Sequence, residues 1–279
     1  MTRTLRICFA GITGWTAPPI VAGIARAEDL TLVAGVSRSA AGRPLAEVLP
    51  DAGSSGPVDG GPTNGGLVYG SVAEALAAAP ADVLIDYTSA TAVGANVRAA
   101  IEAGVHVVVG SSGLTAEDYA ELDALARAHG VGVVAAGNFS VMAAVLARAA
   151  TLAAEHLDHW EVIDYASATK PDVPSGTARE LAESLSAVHR PEQGVPVAEL
   201  HGPKEARGAD VAGTRVHSVR LPSFVVSTEA VFGGEGERLS LRHDAGPSPE
   251  PYAAGTLLAV RRVAETTGVR RGLGTLLFD

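Results

Sequence analysis

Through the first half of the chain, short apolar runs alternate with segments whose apolar residues recur at helical spacing. The runs that predict buried strands are Leu5–Ala10, Leu30–Val36, Val83–Tyr87, Val105–Val109 and Val131–Ala135. The segments that predict helices are Pro18–Ala27, Ser71–Ala79, Ala90–Ala103 and Thr115–His129. Because strands that alternate with helices are joined by right-handed crossovers, this half predicts an α/β domain with a parallel sheet.

The pattern changes after Asn138, where we place a domain boundary. The later elements are predicted helices over Ser140–His156 and Thr177–Val188, and predicted strands over Trp160–Tyr165, Arg215–Leu221, Phe224–Phe232 and Glu237–His243. Turn residues separate the last three strands, which suggests an antiparallel or mixed sheet. A final helix, Tyr252–Thr267, is expected to return to the first domain. The predicted division is residues 1–138 with about 250–279, and an α+β domain over 139–249.

Composition and charge narrow the class of protein. Ala, Val, Gly and Leu dominate and aromatic residues make up only 4% of the chain, which suits helices packed closely on a parallel sheet. The formal net charge of -10 is spread without acidic or basic blocks, so no nucleic-acid partner is expected. The first apolar stretch ends at Gly11 and is too short for a signal peptide or a membrane span. We therefore expect a cytoplasmic protein without membrane contact.

Three further features are interpreted as structural. Cys8 lies in an apolar run and is expected to be a small buried hydrophobe, not a reactive thiol. Residues 51–66 are rich in Gly, Pro and Ser and predict a mobile loop. The spacing of His201, His217 and His243 does not resemble a metal-binding set, so no metal site is expected.

A glycine turn lies between the first predicted strand and the first predicted helix. Residues 11–17 read Gly-Ile-Thr-Gly-Trp-Thr-Ala, and the glycines of such a turn let backbone N–H groups approach a pyrophosphate at a helix amino terminus. The position favours a Rossmann dinucleotide-binding domain over a plain tight turn. The candidate cofactor contacts here are Gly11, Ile12, Thr13, Gly14, Trp15 and Thr16.

The residues after the second strand indicate which nicotinamide cofactor is preferred. A site selective for NAD usually offers an acidic residue to the ribose hydroxyls, but this chain has Ser37 and Arg38 there. Arg38, assisted by Ser37 and with Arg43 as a further candidate, is suited to a 2′-phosphate. We therefore expect NADPH, with NADH as the alternative. A solvated surface arginine is the competing explanation.

Polar and glycine residues also follow three later strands, at the sheet edge where a nicotinamide ribose and ring would lie. The candidates are Tyr87, Thr88, Gly110, Ser111, Ser112, Asn138 and Phe139. Ordinary strand-to-helix caps remain the alternative explanation for them.

A second anion-binding pattern, Lys170–Thr177, leads directly into a predicted helix. The N–H groups at the start of that helix, with nearby hydroxyls and the ammonium of Lys170, predict a pocket for a carboxylate or phosphate. The candidate substrate contacts are Lys170, Ser175, Gly176 and Thr177. Because Thr177 and Glu180 also have the spacing of a capping box, a purely structural cap is the alternative.

Six motifs occur together along the chain. They are the glycine turn, Gly110–Gly113, Gly137–Val141, Lys170–Thr177, Gly213–Arg220 and Phe232–Gly236. In combination, and over nearly the whole length, they resemble the dihydrodipicolinate reductase family of the diaminopimelate and lysine pathway. The resemblance implies an NADPH-dependent oxidoreductase that converts 4-hydroxy-tetrahydrodipicolinate, a cyclic imine precursor, to tetrahydrodipicolinate.

The same resemblance implies roles for particular parts of the chain. It implies a nicotinamide cofactor in the first domain, with Arg38 at the position of the family's arginine. It implies a small anionic substrate, a cyclic dicarboxylate, held by Lys170 and the turn Ser175–Thr177. It also implies a homotetramer, or a dimer, assembled through the sheet of a substrate-binding and oligomerisation domain.

One departure from the family concerns the proton donor. Family members place two histidines shortly before the lysine, but Ala166 and Ser167 occupy those positions here. Hydride delivery leaves a carbanion or enamine that must be protonated, and loss of a positioned acid costs about 10² to 10⁴-fold in rate. Lys170 is the first candidate for the catalytic role, because an enclosed ammonium releases its proton more readily. Tyr165, Ser167 and water are the alternatives, and restoring a histidine at Ala166 is the reverse test.

The missing histidines keep two other functions open. One is a specialised imine reductase of secondary metabolism that acts on another amino-acid-derived substrate. The other is a non-catalytic nucleotide-binding homologue. Fold alone does not choose among the three.

Overall fold

The computed structural model describes residues 4–49 and 66–278 of a chain that divides into two compact units. The first comprises Met1–Ser140 and Pro249–Asp279, and the second comprises Val141–Ser248. The mobile loop predicted over residues 51–66 lies, apart from Gly66, outside the described residues. The domain roles inferred from the sequence remain predictions.

Within the described residues, the first unit contains a seven-stranded parallel sheet. Its strands, numbered along the chain, are β1 (Leu5–Ala10), β2 (Leu30–Val36), β3 (Leu67–Tyr69), β4 (Val83–Asp86), β5 (His106–Val109), β6 (Gly132–Ala135) and β12 (Gly268–Arg271). They lie in the order β12-β6-β5-β4-β1-β2-β3, and every neighbouring pair is parallel. The Rossmann fold predicted for this part is confirmed. Ligands of such sheets bind beside the carboxyl ends of the strands where the order reverses, which here is between β1 and β4.

Helices cover this sheet. They are α1 (Ala17–Arg26), α2 (Leu45–Val48), α3 (Val72–Ala78), α4 (Val93–Glu102), α5 (Ala116–His129), α8 (Glu250–Arg262) and α9 (Gly274–Leu277). All residues of β4 and β6 are buried, as expected for strands with both faces covered. Cys8 on β1 is also fully buried, and burial raises the pKa of its thiol to about 12, so the hydrophobic interpretation is confirmed. No helix in the described part of the chain is long and apolar enough to cross a membrane.

The end of the chain differs from the sequence prediction. The helix predicted over Tyr252–Thr267 was too long, because α8 ends at Arg262 and a 3₁₀ turn and strand β12 follow. Strand β12 pairs with β6, and a side chain at Gly132 would collide with the carbonyl groups of the turn. A four-residue strand containing two arginines carries no apolar alternation by which it can be recognised.

The second unit has a mixed sheet, as expected for an α+β domain. Its strands are β7 (His159–Ala166), β8 (Ala209–Val211), β9 (Thr214–Arg220), β10 (Val226–Gly234) and β11 (Glu237–Asp244), in the order β11-β10-β7-β9-β8. Strands β7 and β9 are parallel and the other neighbours are antiparallel. Strand β8, three residues long, was not predicted.

One face of this mixed sheet carries the core of the second unit. Helices α6 (Val141–Ala154) and α7 (Gly176–Val188) pack there against Trp160, Val162 and Phe232. Along β7 the buried positions alternate with partly exposed ones, and the latter lie on the opposite face. We call this opposite side, which carries Glu161, Ile163 and Tyr165, the open face of the mixed sheet.

Candidate functional site

The glycine turn connects β1 to α1 at the carboxyl edge of the parallel sheet. Gly11 has a φ of +87°, and a Cβ there would overlap the carbonyl group of Tyr87, so the position requires glycine. The N–H of Gly14 donates to the carbonyl of Gly11 at 2.8 Å and closes the turn. The hydroxyls of Thr13 and Ser37 are 3.0 Å apart and connect the turn to the end of β2.

The backbone donors of the turn are unequally available. The N–H groups of residues 11, 12 and 14 donate to carbonyl groups of the protein. The side chain of Ile12 is fully buried, so any contact of this residue with a ligand is made by its backbone. The first turn of α1 contains Pro18 and Pro19, which have no N–H. Within the described residues, the N–H groups of Thr13, Trp15 and Thr16 make no hydrogen bond. Among the described residues, these three are therefore the backbone donors of the turn that remain available to a ligand.

The two arginines after β2 differ in their surroundings. Arg43 is paired with Glu47, with Nε and Oε2 3.7 Å apart. Arg38 is exposed and makes no hydrogen bond or ion pair with the described residues. Of the two, only Arg38 has a guanidinium that is uncommitted to this part of the protein.

A buried carboxylate organises the ends of β4 and β5. Asp86 has no exposed surface and accepts hydrogen bonds from Ser111 Oγ at 2.6 Å, Thr88 Oγ1 at 2.8 Å and Asn96 Nδ2 at 2.8 Å. The network holds Thr88 and Ser111 in place at the predicted cofactor edge. Asp86 is not among the residues predicted from the sequence, although an acidic residue in an otherwise apolar predicted strand is a signal for such a role.

Tyr87 and Phe139 pack into the core of the first unit, and their assignment as cofactor contacts remains a prediction. The Tyr87 hydroxyl donates to Thr256 Oγ1 at 2.7 Å, because Thr256 itself donates to a backbone carbonyl. Burial raises the pKa of Tyr87 well above its usual range. Phe139 is buried and its ring lies 6.1 Å from that of Tyr87. Gly110 is needed for this packing, because a Cβ there would overlap the Tyr87 ring.

The remaining candidates at this edge lie near the surface. Trp15 is 51% exposed, and its ring packs edge-on against Tyr252 at 6.0 Å. Ser112 is exposed. Asn138 accepts a hydrogen bond from the N–H of Ser140 at 2.8 Å, which shapes the turn after β6.

In the second unit, a second buried carboxylate lies beside the predicted substrate turn. Asp164 on β7 is fully buried and accepts from the N–H of Ser175 at 2.9 Å, from Ser175 Oγ at 2.7 Å and from Ser218 Oγ at 3.0 Å. Arg220 Nη2 donates to the same carboxylate at 2.7 Å. Burial alone would raise the pKa of Asp164, but the hydrogen bonds from Ser175 and Arg220 outweigh it and hold the pKa below its usual range.

The start of α7 differs from the prediction in two ways. Ser175 is the N-cap, since its hydroxyl accepts from the N–H of Ala178 at 3.3 Å, so the capping box proposed for Thr177 was wrong. Ser175 was also expected to offer free donors to a ligand, and this was wrong, because its N–H and its hydroxyl both donate to Asp164. Gly176 and Thr177 occupy the first turn of the helix and are partly exposed.

Lys170 lies in the loop before α7. Its Nζ is 2.9 Å from Asp172 Oδ1, and its side chain is 30% exposed. The ammonium is therefore paired with a carboxylate and reaches solvent, in contrast to the enclosed lysine that the sequence analysis expected. The loop as a whole, from Lys170 to the first turn of α7, brings together a cation and a helix amino terminus.

The positions of the missing histidines are now defined. Ala166 is fully buried, so a histidine there would have to fit within the second unit, and the Ala166→His test remains a prediction. Ser167 is partly exposed, and its hydroxyl lies 3.1 Å from that of Thr169. Tyr165 lies on the open face, opposite Asp164, and its hydroxyl donates to Glu229 at 3.1 Å. Burial and this bond raise the pKa of Tyr165, which makes its hydroxyl a weaker acid and disfavours it as the proton donor.

Two family models match the chain in succession. The model for the amino-terminal part of dihydrodipicolinate reductase matches residues 5–139, and the model for the carboxyl-terminal part matches residues 139–276. The chain belongs to the dihydrodipicolinate reductase family. The 4-hydroxy-tetrahydrodipicolinate reductase of Moorella thermoacetica is 38% identical over 278 residues, covering 99% of both chains. That of Synechococcus elongatus is 35% identical over 280 residues, covering 99% of this chain and 100% of the relative.

Solved structures agree with this family. A dipicolinate-bound dihydrodipicolinate reductase from Paenisporosarcina sp. TG-14 is 26% identical, with a TM-score of 0.72, and the match covers 98% of this chain and 99% of that one. An amine dehydrogenase from Mycobacterium smegmatis is 18% identical, with a TM-score of 0.63 over 95% and 94% of the two chains, and shares the fold alone.

The buried position of Asp164 leads to a stability prediction for this dihydrodipicolinate reductase family member. Asp164→Asn should lower the free energy of unfolding by roughly 3 kcal/mol, because it leaves the guanidinium of Arg220 without its buried counter-charge. Denaturant unfolding at pH 7 measures the loss. Asp158→Asn, the same substitution at an exposed position, should change it by less than about 0.5 kcal/mol.

The depressed pKa of Asp164 adds a pH dependence to the same experiment. A carboxyl whose pKa is lower in the folded state stabilises the fold above its unfolded pKa of about 3.9, and this stabilisation is lost as pH falls through the folded value. The difference between wild type and Asp164→Asn should therefore shrink below about pH 4. A difference that stays constant down to pH 3 would contradict the role of Asp164.

Proposed function

We propose that this chain is a nicotinamide-dependent reductase that converts 4-hydroxy-tetrahydrodipicolinate to tetrahydrodipicolinate. Both family models and relatives that match over nearly the full length support this activity. The supporting observation in the chain itself is the loop in which the ammonium of Lys170 lies beside Asp172, a few residues before the amino terminus of α7. A cation and a helix amino terminus together suit a dicarboxylate substrate.

The residues of the first unit fit a nicotinamide dinucleotide. The donors of Thr13, Trp15 and Thr16 would hold the pyrophosphate, and the hydroxyls of Ser37 and Thr13, which are 3.0 Å apart, would lie beside a ribose. The exposed Arg38 would hold a 2′-phosphate, so we propose NADPH as the preferred cofactor. When bound, the reduced nicotinamide supplies the hydride.

The second unit supplies binding and protonation. Lys170 Nζ and the positive end of the α7 dipole would orient the substrate carboxylates, which positions the substrate carbons before any chemistry occurs. We assign the proton given to the substrate carbon to Lys170 Nζ, since Tyr165 is on the open face and Ala166 has no acidic group. Its partner Asp172, with Oδ1 2.9 Å from Nζ, keeps the ammonium near the helix start.

A second candidate function follows from the absent histidine pair. With Ala166 buried and Ser167 carrying only a hydroxyl, the chain lacks the imidazole that the family offers at this place. This observation favours a reductase of another cyclic imine derived from an amino acid. Turnover measured with 4-hydroxy-tetrahydrodipicolinate and with monocarboxylate cyclic imines distinguishes the two functions.

The homotetramer implied by the resemblance remains a prediction, and features of the open face support it. That face carries Ile163 and Val231 beside the ion pair between Glu161 and Arg207. Helices α6 and α7 pack on the other face of the sheet and do not cover the open face. A cavity of about 640 Å³ opens on the same side. Apolar side chains bordered by charged pairs are suited to contact with another copy of the chain.

Replacement of Arg38 tests the cofactor preference. Arg38→Ala should raise the Kd of NADPH by roughly 10- to 100-fold, the loss expected for a charge-assisted hydrogen bond, and leave the Kd of NADH nearly unchanged. Fluorescence titration of both cofactors measures it. Arg43→Ala is the matched control, because Arg43 is paired with Glu47 and should be silent. Equal losses for NADPH and NADH would argue against the phosphate role.

Replacement of Lys170 tests the activity itself. Wild type should oxidise NADPH only when 4-hydroxy-tetrahydrodipicolinate is present, and Lys170→Ala should lower kcat/KM at least about 100-fold without changing the affinity for NADPH. Lys204→Ala, which removes an exposed lysine of the same unit bonded to a backbone carbonyl, should retain activity. Full activity of Lys170→Ala would remove this residue from the mechanism.

A histidine at Ser167 tests the missing acid. Ser167 is partly exposed, so an imidazole at this position can reach solvent and a bound substrate. If the lack of a positioned acid limits the rate, Ser167→His should raise kcat up to about 100-fold. The gain should fade as pH rises above about 6.5, when the imidazole loses its proton. Thr169→His, which places an imidazole at the neighbouring hydroxyl-bearing position, is the control and should not raise kcat to the same extent. An unchanged kcat in a folded, cofactor-binding Ser167→His variant would show that protonation is not limiting.

A further inference from the structure

The guanidinium of Arg220 connects two parts of the second unit that are far apart in sequence. Its Nη2 donates to Asp164 Oδ2 at 2.7 Å and also to the backbone carbonyl of Asp172 at 2.8 Å. The side chain of that same Asp172 lies 2.9 Å from Lys170 Nζ. A continuous set of contacts therefore leads from the buried carboxylate of β7 through Arg220 to the ammonium proposed to bind substrate.

Arg220 is itself committed to the protein. Its side chain is only 15% exposed, and Nη1 donates to the carbonyls of Val219 at 3.0 Å and of Asp164 at 3.3 Å. With both terminal nitrogens used in this way, the guanidinium does not offer a fork to a carboxylate ligand. Any influence on the substrate must pass through the residues that it holds.

The geometry requires an arginine in particular. Strands β7 and β9 are parallel, with Asp164 opposite Ser218, so Arg220 lies two residues further along and reaches back to the carboxylate. The planar guanidinium presents several donors in fixed directions and can hold a carboxylate and a carbonyl together. An ammonium at the same place keeps the charge for Asp164 but has no fixed fork for the second acceptor.

The Lys170 loop has few other supports near this point. Oδ2 of Asp172 is buried and makes no hydrogen bond with the described residues, so the carboxylate is held through Oδ1 alone. The carbonyl of Asp172 accepts from Arg220. The N–H of Lys170 donates to the carbonyl of Ser167 at 3.0 Å, and the Arg220 contact joins the turn at Asp172 to strand β9.

We propose that Arg220 is a positioning residue that holds the Lys170–Asp172 turn in the conformation that binds the substrate carboxylate. The assignment rests on the proposed function, in which Lys170 binds that carboxylate. Arg220 sets substrate affinity through the turn, and it contributes nothing to cofactor affinity.

A double-mutant cycle tests this role. The variants are Arg220→Lys, Lys170→Ala and the two combined, and the probe is dipicolinate, a cyclic dicarboxylate, titrated by calorimetry with NADP⁺ present. Arg220→Lys should raise the Kd of dipicolinate at least about tenfold, with NADP⁺ affinity within about twofold of wild type. In the Lys170→Ala background the same substitution should have no further effect, because the two residues act through one contact.

A matched control separates positioning from general stability. Ser218→Ala removes another hydrogen bond to Asp164 Oδ2 but leaves the carbonyl of Asp172 bonded to Arg220. It should lower the melting temperature without weakening dipicolinate binding. Arg220→Gln, which removes the charge as well as the fork, repeats the cycle if Arg220→Lys does not fold, and is expected to weaken binding in the same non-additive way.

The outcomes distinguish this inference from the proposed function. If Lys170→Ala weakens dipicolinate binding but Arg220→Lys does not, the positioning role is overturned and the proposed function stands. Additive losses in the double variant, or equal losses in Ser218→Ala and Arg220→Lys, also overturn it. If Lys170→Ala leaves dipicolinate affinity unchanged, the assignment of Lys170 fails and the role of Arg220 fails with it.

Discussion

A buried carboxylate paired with an arginine is the constraint on which the second unit depends. An ionised group removed from water is costly unless charge and hydrogen bonds compensate it. Asp164 meets this requirement through Ser175, the N-cap of α7, and through Ser218 and Arg220 on β9. The register of β7 against β9 and the start of α7 must therefore be established together, and the Lys170 loop is held between them.

The first unit solves the same problem with neutral donors. Asp86 at the end of β4 is compensated by two hydroxyls and an amide, from Thr88, Ser111 and Asn96. In both units an acidic residue at the end of a central strand fixes the loops that are proposed to bind ligand. The ligand-binding groups themselves remain at the surface, whereas the charges that orient them are buried, an arrangement that keeps the loops rigid without enclosing them.

The departure from the family at Ala166 and Ser167 is local. Ala166 has its side chain buried in the second unit, and Ser167 and Thr169 present hydroxyls near Lys170. The Lys170–Thr177 motif by which the chain resembles the family is present. The proposed binding of an anionic substrate and the proposed protonation by Lys170 therefore rest on different residues from the missing histidine pair.

The sequence by itself determined the features that depend on neighbouring residues. Apolar periodicity predicted most strands and helices, the glycines of residues 11–14 predicted the turn, and the order of motifs predicted the family. Tertiary structure decided which polar groups are already used. Ser175 gives its donors to Asp164, and Tyr87 donates to Thr256, which lies 169 positions further along the chain. Tyr165 donates to Glu229 on the open face. These partners are distant in the chain, so a local pattern carries no information on which donors remain available.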